Sequence, residues 1–411
     1  MPEFLELVSP DDALQHWMAY LPAYPLETEL VDTSLALGRV TAEPVTASYP
    51  LPSFTRSSMD GYAVRAADTF GANDSLPAYL RLVGEVPMGA LTELSLQVGE
   101  CALIHTGGML PDQADAVVMV EHTQIARTGE IEISHAVAQG ENVIQKGEDV
   151  TQGEQVIGPG VRLRPQEIGG LMALGITRVC VFRRLRVGLI SSGDEVIPPA
   201  QELLPGQVRD VNSYSLGALV EQHGAIPVQY GILPDRAEAL RTTAQKALAE
   251  CDLLLITAGS SASARDLTSQ VIGELGKPGV LVHGVSVRPG KPTILAVCDG
   301  KAVVGLPGNP VSAMVIAILL VAPVLQKLSG ISADRPRGTV TAQLSLNLAS
   351  QAGREDWVAV QLRRTAAGYQ ADPVFGKSNL IFTLVRADGL VRIPAAATGL
   401  SAGEMVEVRL I

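Results

Sequence analysis

The chain has 411 residues, with 31 Lys and Arg against 43 Asp and Glu, so its formal net charge is −12 at pH 7. At about 150 residues per domain, this length predicts two to three domains. Hydrophobic residues make up 47% of the chain, which is enough for more than one core and excludes a disordered protein. The acidic balance argues against binding nucleic acid, which needs a basic face, but it permits a small polyanion held by local cations.

In chain order, the first predicted element is a helix near the N-terminus. Ser9 suits the N-cap and Pro10 the first helical position, and apolar residues then repeat at helical spacing. Residues 51–142 are rich in Gly, Pro and short alternating runs, which predicts strands and turns. Residues 143–184 return to mixed character, with a short helix followed by a strand.

Residues 185–330 alternate between short apolar runs and amphipathic segments. This alternation predicts a mostly parallel sheet covered by helices on both faces. Strands are predicted at 186–190, 226–233, 253–257, 281–285, 293–297 and 302–305. Helices are predicted at 212–223 with Asn212 as the cap, at 236–250, at 266–275 and from 310 onwards. After residue 336, short alternating strands without a long helix predict a small all-β domain.

Cysteine spacing and apolar runs bear on the location of the protein. The first seven residues carry two glutamates and no Lys or Arg, which is unlike a signal peptide. The apolar run at 311–325 is too short for a membrane span and contains Ser312 and Pro323, so it is expected to be a buried helix. The chain has four cysteines that are far apart in sequence, with no CxxC spacing. This favours four reduced thiols in a cytoplasmic protein, although four cysteines could also form two disulfides. They are Cys101, Cys180, Cys251 and Cys298.

Three loops that follow predicted strands of the α/β region consist of small polar residues. In an open parallel sheet, ligands bind beyond the carboxyl ends of the strands. Successive backbone N–H groups, with a helix N-terminus behind them, can hold an anion there. An ordinary strand-to-helix turn would explain any one loop, but three in one sheet favour an anion site. The loops are SSGDE (residues 191–195), AGSSASARD (258–266) and GLPGNPVS (305–312).

Charged residues near these loops indicate the kind of anion. The turn VRPGKP (residues 287–292) places Arg288 and Lys291 around a Pro-Gly pair, which suits phosphate unless the turn is a solvated hairpin. Carboxylates beside a phosphate site usually imply Mg²⁺, although some could instead cap a turn or a helix. The acids at predicted strand ends are Asp194, Glu195, Asp235 and Asp266.

Other motifs lie outside the α/β region, and some resemble known catalytic motifs but lack a required residue. SSMDGYA (residues 57–63), IHTGG (104–108) and KGED (146–149) would each be an ordinary turn if taken alone. GKS at 376–378 looks like the end of a P-loop, but Ala371 stands where the first glycine belongs. The chain has no GxSxG elbow, so hydrolase triad chemistry has no support.

Five motifs occur in order along the chain: SMDGYA, KGED, SGDE, RPGKP and LPGNPVS. With these motifs the chain resembles the molybdopterin molybdenumtransferase family, which includes bacterial MoeA and the gephyrin E domain, over nearly its whole length. The resemblance implies that molybdate is inserted into the dithiolene of adenylylated molybdopterin. The phosphoanhydride is cleaved, AMP leaves and Mg²⁺ assists, which completes the molybdenum cofactor.

The resemblance also implies a multidomain α/β plus β fold. Its parts would be an elongated N-terminal domain (residues 1–50 and 143–184), an inserted β-rich domain (51–142), a molybdopterin-binding α/β domain with a mostly parallel sheet (185–333) and a small C-terminal β domain (334–411). It implies a homodimer whose active cleft is shared between the subunits. Transient contact with the adenylyltransferase and with acceptor molybdoenzymes is expected, whereas no membrane or nucleic-acid partner is.

Site residues follow from the resemblance position by position. Catalytic roles are implied for Asp60, Thr106, Asp149, Glu195, Asp235 and Asp266, with Glu195 and Asp266 as Mg²⁺ ligands. Binding roles are implied for Ser192, Gly193, Asp194, Gly259, Ser260, Ser261, Arg288, Lys291, Pro307, Gly308, Asn309, Arg354 and Ser378. The family holds molybdate near the positions of Arg354 and Ser378, and a planar guanidinium suits an oxyanion unless it pairs with Glu355 or Asp356 instead.

Departures and alternatives stay open at this point. Ala258 and Ser263 stand where the family usually has glycine, which puts the geometry of the third-strand loop in doubt. Related molybdopterin adenylyltransferases share the α/β domain, but they look like that single domain. A binding or scaffold protein that kept the fold without catalysis is the third alternative.

Overall fold

The computed structural model describes residues 7–21, 27–258, 262–332 and 338–411, with side chains of the helix that starts at Ala262 described from Asp266 onwards. Within these residues three sheets have six strands each, and five further sheets have two short strands each. The predicted loop residues Gly259, Ser260 and Ser261 lie outside the described residues.

The N-terminal helix Pro10–Tyr20 begins as its sequence predicts. Ser9 is the N-cap, and its hydroxyl accepts the N–H of Asp12 at 3.1 Å. The helix packs on the central α/β sheet, where the Trp17 indole N–H donates to the Ala296 carbonyl at 2.8 Å. The helix therefore contributes to the core of the central domain.

Residues 28–57 and 143–182 pair with each other along an extended unit. Three antiparallel two-stranded sheets join them: Thr28–Asp32 with Arg178–Phe182, Val45–Thr46 with Gln155–Ile157, and Arg56–Ser57 with Val143–Ile144. Helix Pro165–Ala173 packs on this unit around the buried residues Leu163, Leu171 and Val181.

Between these two stretches the chain forms the first six-stranded sheet. Its strands, in spatial order, are Ala116–Met119, Gly61–Val64, Glu100–Ile104, Ala78–Glu85, Glu130–Ile133 and Thr123–Arg127. Gly61 has no room for a side chain, since a Cβ there would lie 1.9 Å from the carbonyl oxygen of Val118 in the neighbouring strand. This close approach fixes the backbone directly after Asp60.

The central domain contains the predicted mostly parallel sheet. Its strands, in spatial order, are Ile226–Leu233, Arg186–Ser192, Leu253–Ala258, Lys301–Pro307, Ile294–Cys298 and Pro278–His283. The first four are parallel, and the last two are antiparallel to their neighbours. Alternate residues of the apolar strand Leu253–Ala258 face two different cores, which explains why every position in it is buried.

Helices cover both faces of this sheet. They are Asn212–Gln222, Ala237–Glu250, Ala262–Glu274 and Pro310–Leu328, the last with a π-helical turn at Ala317–Val321. Asn212 was predicted as a cap, but it is the first residue of its helix, and the Asp210 carboxylate instead accepts the N–H of Ser213 at 3.1 Å. By length and composition Pro310–Leu328 could cross a membrane, but 72% of its apolar 18-residue window is buried inside the protein, as in a core helix.

The C-terminal domain is a small closed barrel. Its strands, in spatial order, are Glu355–Thr365, Gly368–Pro373, Thr339–Leu344, Met405–Leu410 and Gly389–Ile393, and the last pairs again with the first. The domain also contains a two-stranded sheet, in which Leu348–Ala349 pairs with Gly399–Leu400, and the short helix Phe382–Val385. Strand Val287–Arg288 of the central domain adds to the barrel by pairing with Glu355 and Asp356.

The four cysteines are free and lie in different parts of the fold. Burial raises the pKa of the Cys101 thiol to about 12 and that of Cys298 to about 11. These thiols therefore stay protonated near neutral pH and serve as small apolar side chains.

Candidate active site

Strands Arg186–Ser192 and Leu253–Ala258 end side by side, and a buried hydroxyl network supports that edge. The Ser191 hydroxyl donates to Asp210 Oδ1 at 3.0 Å and lies 3.1 Å from Thr257 Oγ1, while Ser213 Oγ donates to Ser191 Oγ at 3.2 Å. Buried polar groups that satisfy one another rigidify their surroundings. The loop that follows Ser192 is therefore held at its base.

The next residues carry the predicted carboxylates. The Ser192 hydroxyl donates to Asp235 Oδ1 at 2.6 Å, and the N–H of Asp235 donates to Asp194 Oδ1 at 3.3 Å. Asp235 does not cap the following helix, whose N-cap is Arg236. Asp194 and Glu195 are exposed beyond the strand end. The structure thus links Ser192, Asp194 and Asp235 directly.

Asp266 lies one turn inside helix Ala262–Glu274, which follows the adjacent strand, and its side chain is exposed. The two strands that lead to Glu195 and Asp266 are parallel neighbours, so both acids belong to one edge of the sheet. Among the described residues, however, no group of three or more His, Cys, Asp or Glu side chains could hold a metal. The protein therefore offers dispersed carboxylates here.

A separate cleft of about 1140 Å³ opens between the central domain and the C-terminal barrel. The VRPGKP turn lines this cleft with Arg288 and Lys291, and the GLPGNPVS loop lines it with Asn309. From the barrel come the predicted Arg354 and Ser378, so the structure brings both predicted groups into one space. The predicted binding residues that line the cleft are Arg288, Lys291, Pro307, Asn309, Arg354 and Ser378.

The GLPGNPVS loop is bonded to the barrel and to the central helix layer. Asn309 Nδ2 donates to Ser378 Oγ at 3.0 Å, and the N–H of Val311 donates to the Ser378 carbonyl at 3.0 Å. Gly308 does not line the cleft, and its carbonyl accepts the side-chain amide of Asn212 at 2.8 Å. These bonds position the start of the core helix against Ser378.

The two arginines of the cleft share a buried carboxylate. Arg354 Nε donates to Asp356 Oδ1 at 2.9 Å, and Arg288 Nη1 lies 3.5 Å from Asp356 Oδ2. The expected alternative for Arg354, an ion pair with Asp356, is thus present inside the cleft. Asp356 does not belong to any of the sequence motifs. Lys377 also lines the cleft, and it belongs to the GKS sequence that was rejected as a P-loop.

The Asp60 cluster lies on the inserted sheet. Asp60 Oδ1 accepts the N–H of Thr106 at 2.7 Å and its hydroxyl at 3.0 Å, so the structure joins two predicted catalytic residues. These hydrogen bonds, chiefly the one from the backbone, lower the pKa of Asp60, and His105 adds a smaller effect in the same direction. His105, to which no role was assigned, lies 3.8 Å from Asp60 Oδ1 and 3.2 Å from Glu85 Oε1.

The segment 51–58 connects the Asp60 cluster with the KGED turn. The N–H of Asp149 donates to the Leu51 carbonyl at 3.0 Å, and the N–H of Lys146 donates to Thr55 Oγ1 at 3.3 Å. At the other end of the segment, the N–H of Gly107 donates to the Ser57 carbonyl at 2.8 Å. The segment therefore contacts the KGED turn at one end and the IHTGG loop at the other, and Asp60, Thr106 and Asp149 are all exposed.

Three family models match successive regions of the chain. Residues 8–175 match the model "MoeA N-terminal region (domain I and II)", 188–327 the model "Probable molybdopterin binding domain" and 341–411 the model "MoeA C-terminal region (domain IV)". A molybdopterin molybdenumtransferase from a Nostoc species is 34% identical over 93% of this chain and 88% of its own. The chain belongs to the molybdopterin molybdenumtransferase family.

Other members of the molybdopterin molybdenumtransferase family agree with this. The Haemophilus influenzae enzyme of that name is 31% identical over 97% of both chains. The crystal structure of a molybdopterin biosynthesis MoeA protein from Pyrococcus horikoshii OT3 superposes with a TM-score of 0.86, at 31% identity over 99% of this chain and 100% of that one. The likeness thus includes the α/β domain together with the domains on either side.

Proposed function

We propose that this protein is a molybdopterin molybdenumtransferase, which inserts molybdate into adenylylated molybdopterin and releases AMP. The observation that carries the proposal is the cleft in which Arg288 and Lys291 of the central domain face Arg354 and Lys377 of the barrel. Four cations in one cleft of an acidic protein suit a ligand with several negative charges. Adenylylated molybdopterin and molybdate are both anionic.

The cations and hydroxyls of the cleft would bind and orient the substrates. The planar guanidinium of Arg354 and the hydroxyl of Ser378 suit a tetrahedral oxyanion such as molybdate. Arg288 and Lys291 suit the phosphate groups. Gly193, Gly308 and the loop residues Gly259, Ser260 and Ser261 are assigned to binding on the family likeness.

The donor set at the sheet edge fits Mg²⁺, which prefers carboxylate oxygen and keeps most of its ligands as water or phosphate. Glu195 and Asp266 would hold the ion. When bound, Mg²⁺ would neutralise charge that develops on the anhydride oxygens as AMP leaves. Asp235, which accepts a hydrogen bond from Ser192 and donates its N–H to Asp194, would orient these two residues of the SSGDE loop.

Asp60 and Thr106 are proposed to act through charge and hydrogen bonding. Because the hydrogen bonds from Thr106 lower the pKa of Asp60, its carboxylate stays ionised near neutral pH and is a weak proton acceptor. It is therefore suited to orienting a water molecule or a cation. Asp149, which is also exposed, is assigned to the site on the family likeness and would add a second negative charge.

We propose that the site at the strand ends of the central sheet is completed by a second copy of the chain. The side-chain hydrogen bonds and ion pair of Asp60 all stay within its own sheet unit, with Thr106 and His105. A homodimer would bring this surface to the strand ends of the partner. Asp60→Ala and Glu195→Gln are mixed at a Mg²⁺ concentration well below the one that Glu195→Gln needs, so that neither variant is active alone. The mixture should then show about a quarter of the activity of the unmodified protein, because half of the dimers are mixed and each mixed dimer keeps one intact site. No restoration would place the whole site within one subunit.

The activity test uses purified protein with adenylylated molybdopterin, Mg²⁺ and molybdate, and follows AMP. Release of AMP that depends on molybdate supports the proposal. Formation of the adenylylated compound from ATP would indicate an adenylyltransferase instead. Binding of the compound without turnover would indicate a scaffold. Because the family likeness includes all the domains, we favour the transferase.

Location and further partners are also proposals. Four free thiols, three of them buried, agree with a cytoplasmic protein that does not depend on disulfides. An adenylyltransferase that supplies the substrate and apo-molybdoenzymes that receive the product would be transient partners. Co-purification of each with this protein in the presence of adenylylated molybdopterin would test them.

A further inference from the structure

Strand Glu355–Thr365 begins with two adjacent carboxylates that are both almost completely buried. Glu355 is 5% exposed and Asp356 is 4% exposed. Successive side chains of a strand point to opposite faces, and their partners differ accordingly. Glu355 pairs with Arg392 and accepts the Trp357 indole N–H at 3.3 Å, whereas Asp356 lines the cleft and faces Arg288 and Arg354.

The backbone brings Asp356 and its two arginines together from different domains. Arg288 and Asp356 are register partners in the parallel pairing of Val287–Arg288 with the barrel. The Ser286 hydroxyl donates to the Gly353 carbonyl at 2.7 Å, and the N–H of Glu355 donates to the Ser286 carbonyl at 3.0 Å. The Asp356 carboxylate thus lies where hydrogen bonds join the strand that begins the VRPGKP turn to the segment that carries Arg354.

Each oxygen of Asp356 faces a different guanidinium. Oδ1 accepts from Arg354 Nε at 2.9 Å, and Oδ2 lies 3.5 Å from Arg288 Nη1. The hydrogen bond to Asp356 uses only Nε of Arg354, so it leaves the donors on both terminal nitrogens free for a ligand in the cleft that Arg354 lines. Two neighbouring guanidinium groups would repel each other without an anion between them, so the buried carboxylate sets their spacing.

We propose that Asp356 is a positioning residue, which holds Arg288 and Arg354 so that a tetrahedral oxyanion binds between them. The inference rests on the proposed function and adds the group that organises its oxyanion subsite. Asp356 itself does not touch the anion, since both are negative. It acts through the two arginines.

Removal of this carboxylate has two opposite effects on an anion in the cleft. It removes a negative charge, which would strengthen anion binding, and it releases the two guanidinium groups from their common anchor, which would weaken it. A positioning role means that the second effect is larger. The sign of the change in molybdate affinity therefore decides the question.

The test compares Asp356→Asn with Glu355→Gln, since the two sites share a strand and similar burial but only Asp356 faces the cleft. Molybdate binding is measured by equilibrium dialysis, and AMP release is measured against molybdate concentration. In Asp356→Asn we expect half-saturating molybdate to rise about tenfold, with kcat changed much less, as when a ligand-orienting group is lost. Glu355→Gln should lower the melting temperature and leave molybdate affinity near that of the unmodified protein.

Asp356→Glu keeps the charge and carries the test if Asp356→Asn does not fold. Its longer side chain should also raise half-saturating molybdate, by displacing Arg354. Molybdate affinity in the Asp356 variants that equals or exceeds that of Glu355→Gln would overturn the proposal, as would failure of the unmodified protein to bind molybdate. If the unmodified protein binds molybdate but releases no AMP, the proposed reaction fails while dialysis still decides the role of Asp356.

Discussion

Asn309 donates its side-chain amide to Ser378 Oγ at 3.0 Å, and this bond joins the first turn of the core helix to the C-terminal barrel. Both residues line the cleft. The bond therefore controls the distance between the two walls that would hold the substrates.

Ser378→Ala should weaken molybdate binding with a small loss of stability. It removes the acceptor of the Asn309 amide, while the backbone bond from Val311 remains. The expected destabilisation is about 1 kcal/mol, the usual net value of one hydrogen bond. Denaturant unfolding and molybdate dialysis measure the two effects. Ser401→Ala, an exposed position on the barrel, is the control and should change neither quantity.

Asp60→Ala should abolish molybdate-dependent AMP release without unfolding the protein, because the side chain is exposed. Circular dichroism and the melting temperature check the fold. Asp74→Asn, an exposed carboxylate elsewhere on the inserted domain, is the matched control and should retain activity. A fully active Asp60→Ala enzyme would remove Asp60 from the site.

The lowered pKa of Asp60 predicts how the stability of the folded protein changes at acid pH. Its folded-state pKa is lowered from 3.8, so the hydrogen bonds from Thr106 stabilise the ionised form. The resulting stabilisation is complete above the unfolded pKa and is lost as pH falls through the lower folded pKa. Thr106→Val removes one of the two hydrogen bonds and should shift the pKa of Asp60 upward. Carboxyl-carbon NMR titration measures it, and an unchanged value would contradict the assignment.

Gly290→Ala should disorganise the turn between Arg288 and Lys291. Gly290 has φ +125°, and a Cβ there would lie 2.5 Å from two carbons of the buried Ile316 side chain. We expect a loss of roughly 1–3 kcal/mol from overpacking, in addition to the strain of the backbone, and weaker binding of inorganic phosphate. Gly206→Ala is the control, because Gly206 has φ +86° with no atom within 4 Å of its Cβ. Equal effects of the two substitutions would exclude the steric explanation.

Glu195→Gln should raise the Mg²⁺ concentration needed for half-maximal AMP release, by about tenfold for loss of a carboxylate ligand. Chelation of Mg²⁺ with EDTA should stop the reaction, and added Mg²⁺ should restore it. Glu202→Gln, an exposed neighbour in the following loop, should keep the original Mg²⁺ dependence. Activity in EDTA equal to that with Mg²⁺ would contradict a metal role for Glu195.

Elements governed by local interactions were predicted well from the sequence. Ser9 caps the helix Pro10–Tyr20, because a cap acts on an N–H three residues away. The apolar run at 253–257 is a strand buried on both faces, as expected for a parallel sheet with helices on each side. The boundary at Asn212 was wrong by one position, since Asp210 satisfies the helix N–H instead.

Residues of the site were predictable where a motif marks a turn at a strand end. Motifs predicted Arg288 and Asn309 as binding residues and the family resemblance added Ser378, and the structure places all three in the cleft. Asp356 was predicted only as a possible ion-pair partner of Arg354, because its second partner, Arg288, belongs to another domain. Lys377 was not predicted, and only the folded structure places it in the cleft. A buried aspartate inside a barrel strand has no local pattern that distinguishes it from an exposed one.

By itself, the sequence determined the mostly parallel central sheet, the N-terminal helix and the motifs that identify the family. These depend on spacing within a few residues, and such spacing is read directly along the chain. Only the tertiary structure decided which charges meet, since Arg288 reaches Asp356 through a strand added to another domain's barrel and Asn309 reaches Ser378 across the cleft. Contacts at such separations are selected by the packing of whole domains, so they arise only when the entire chain is folded.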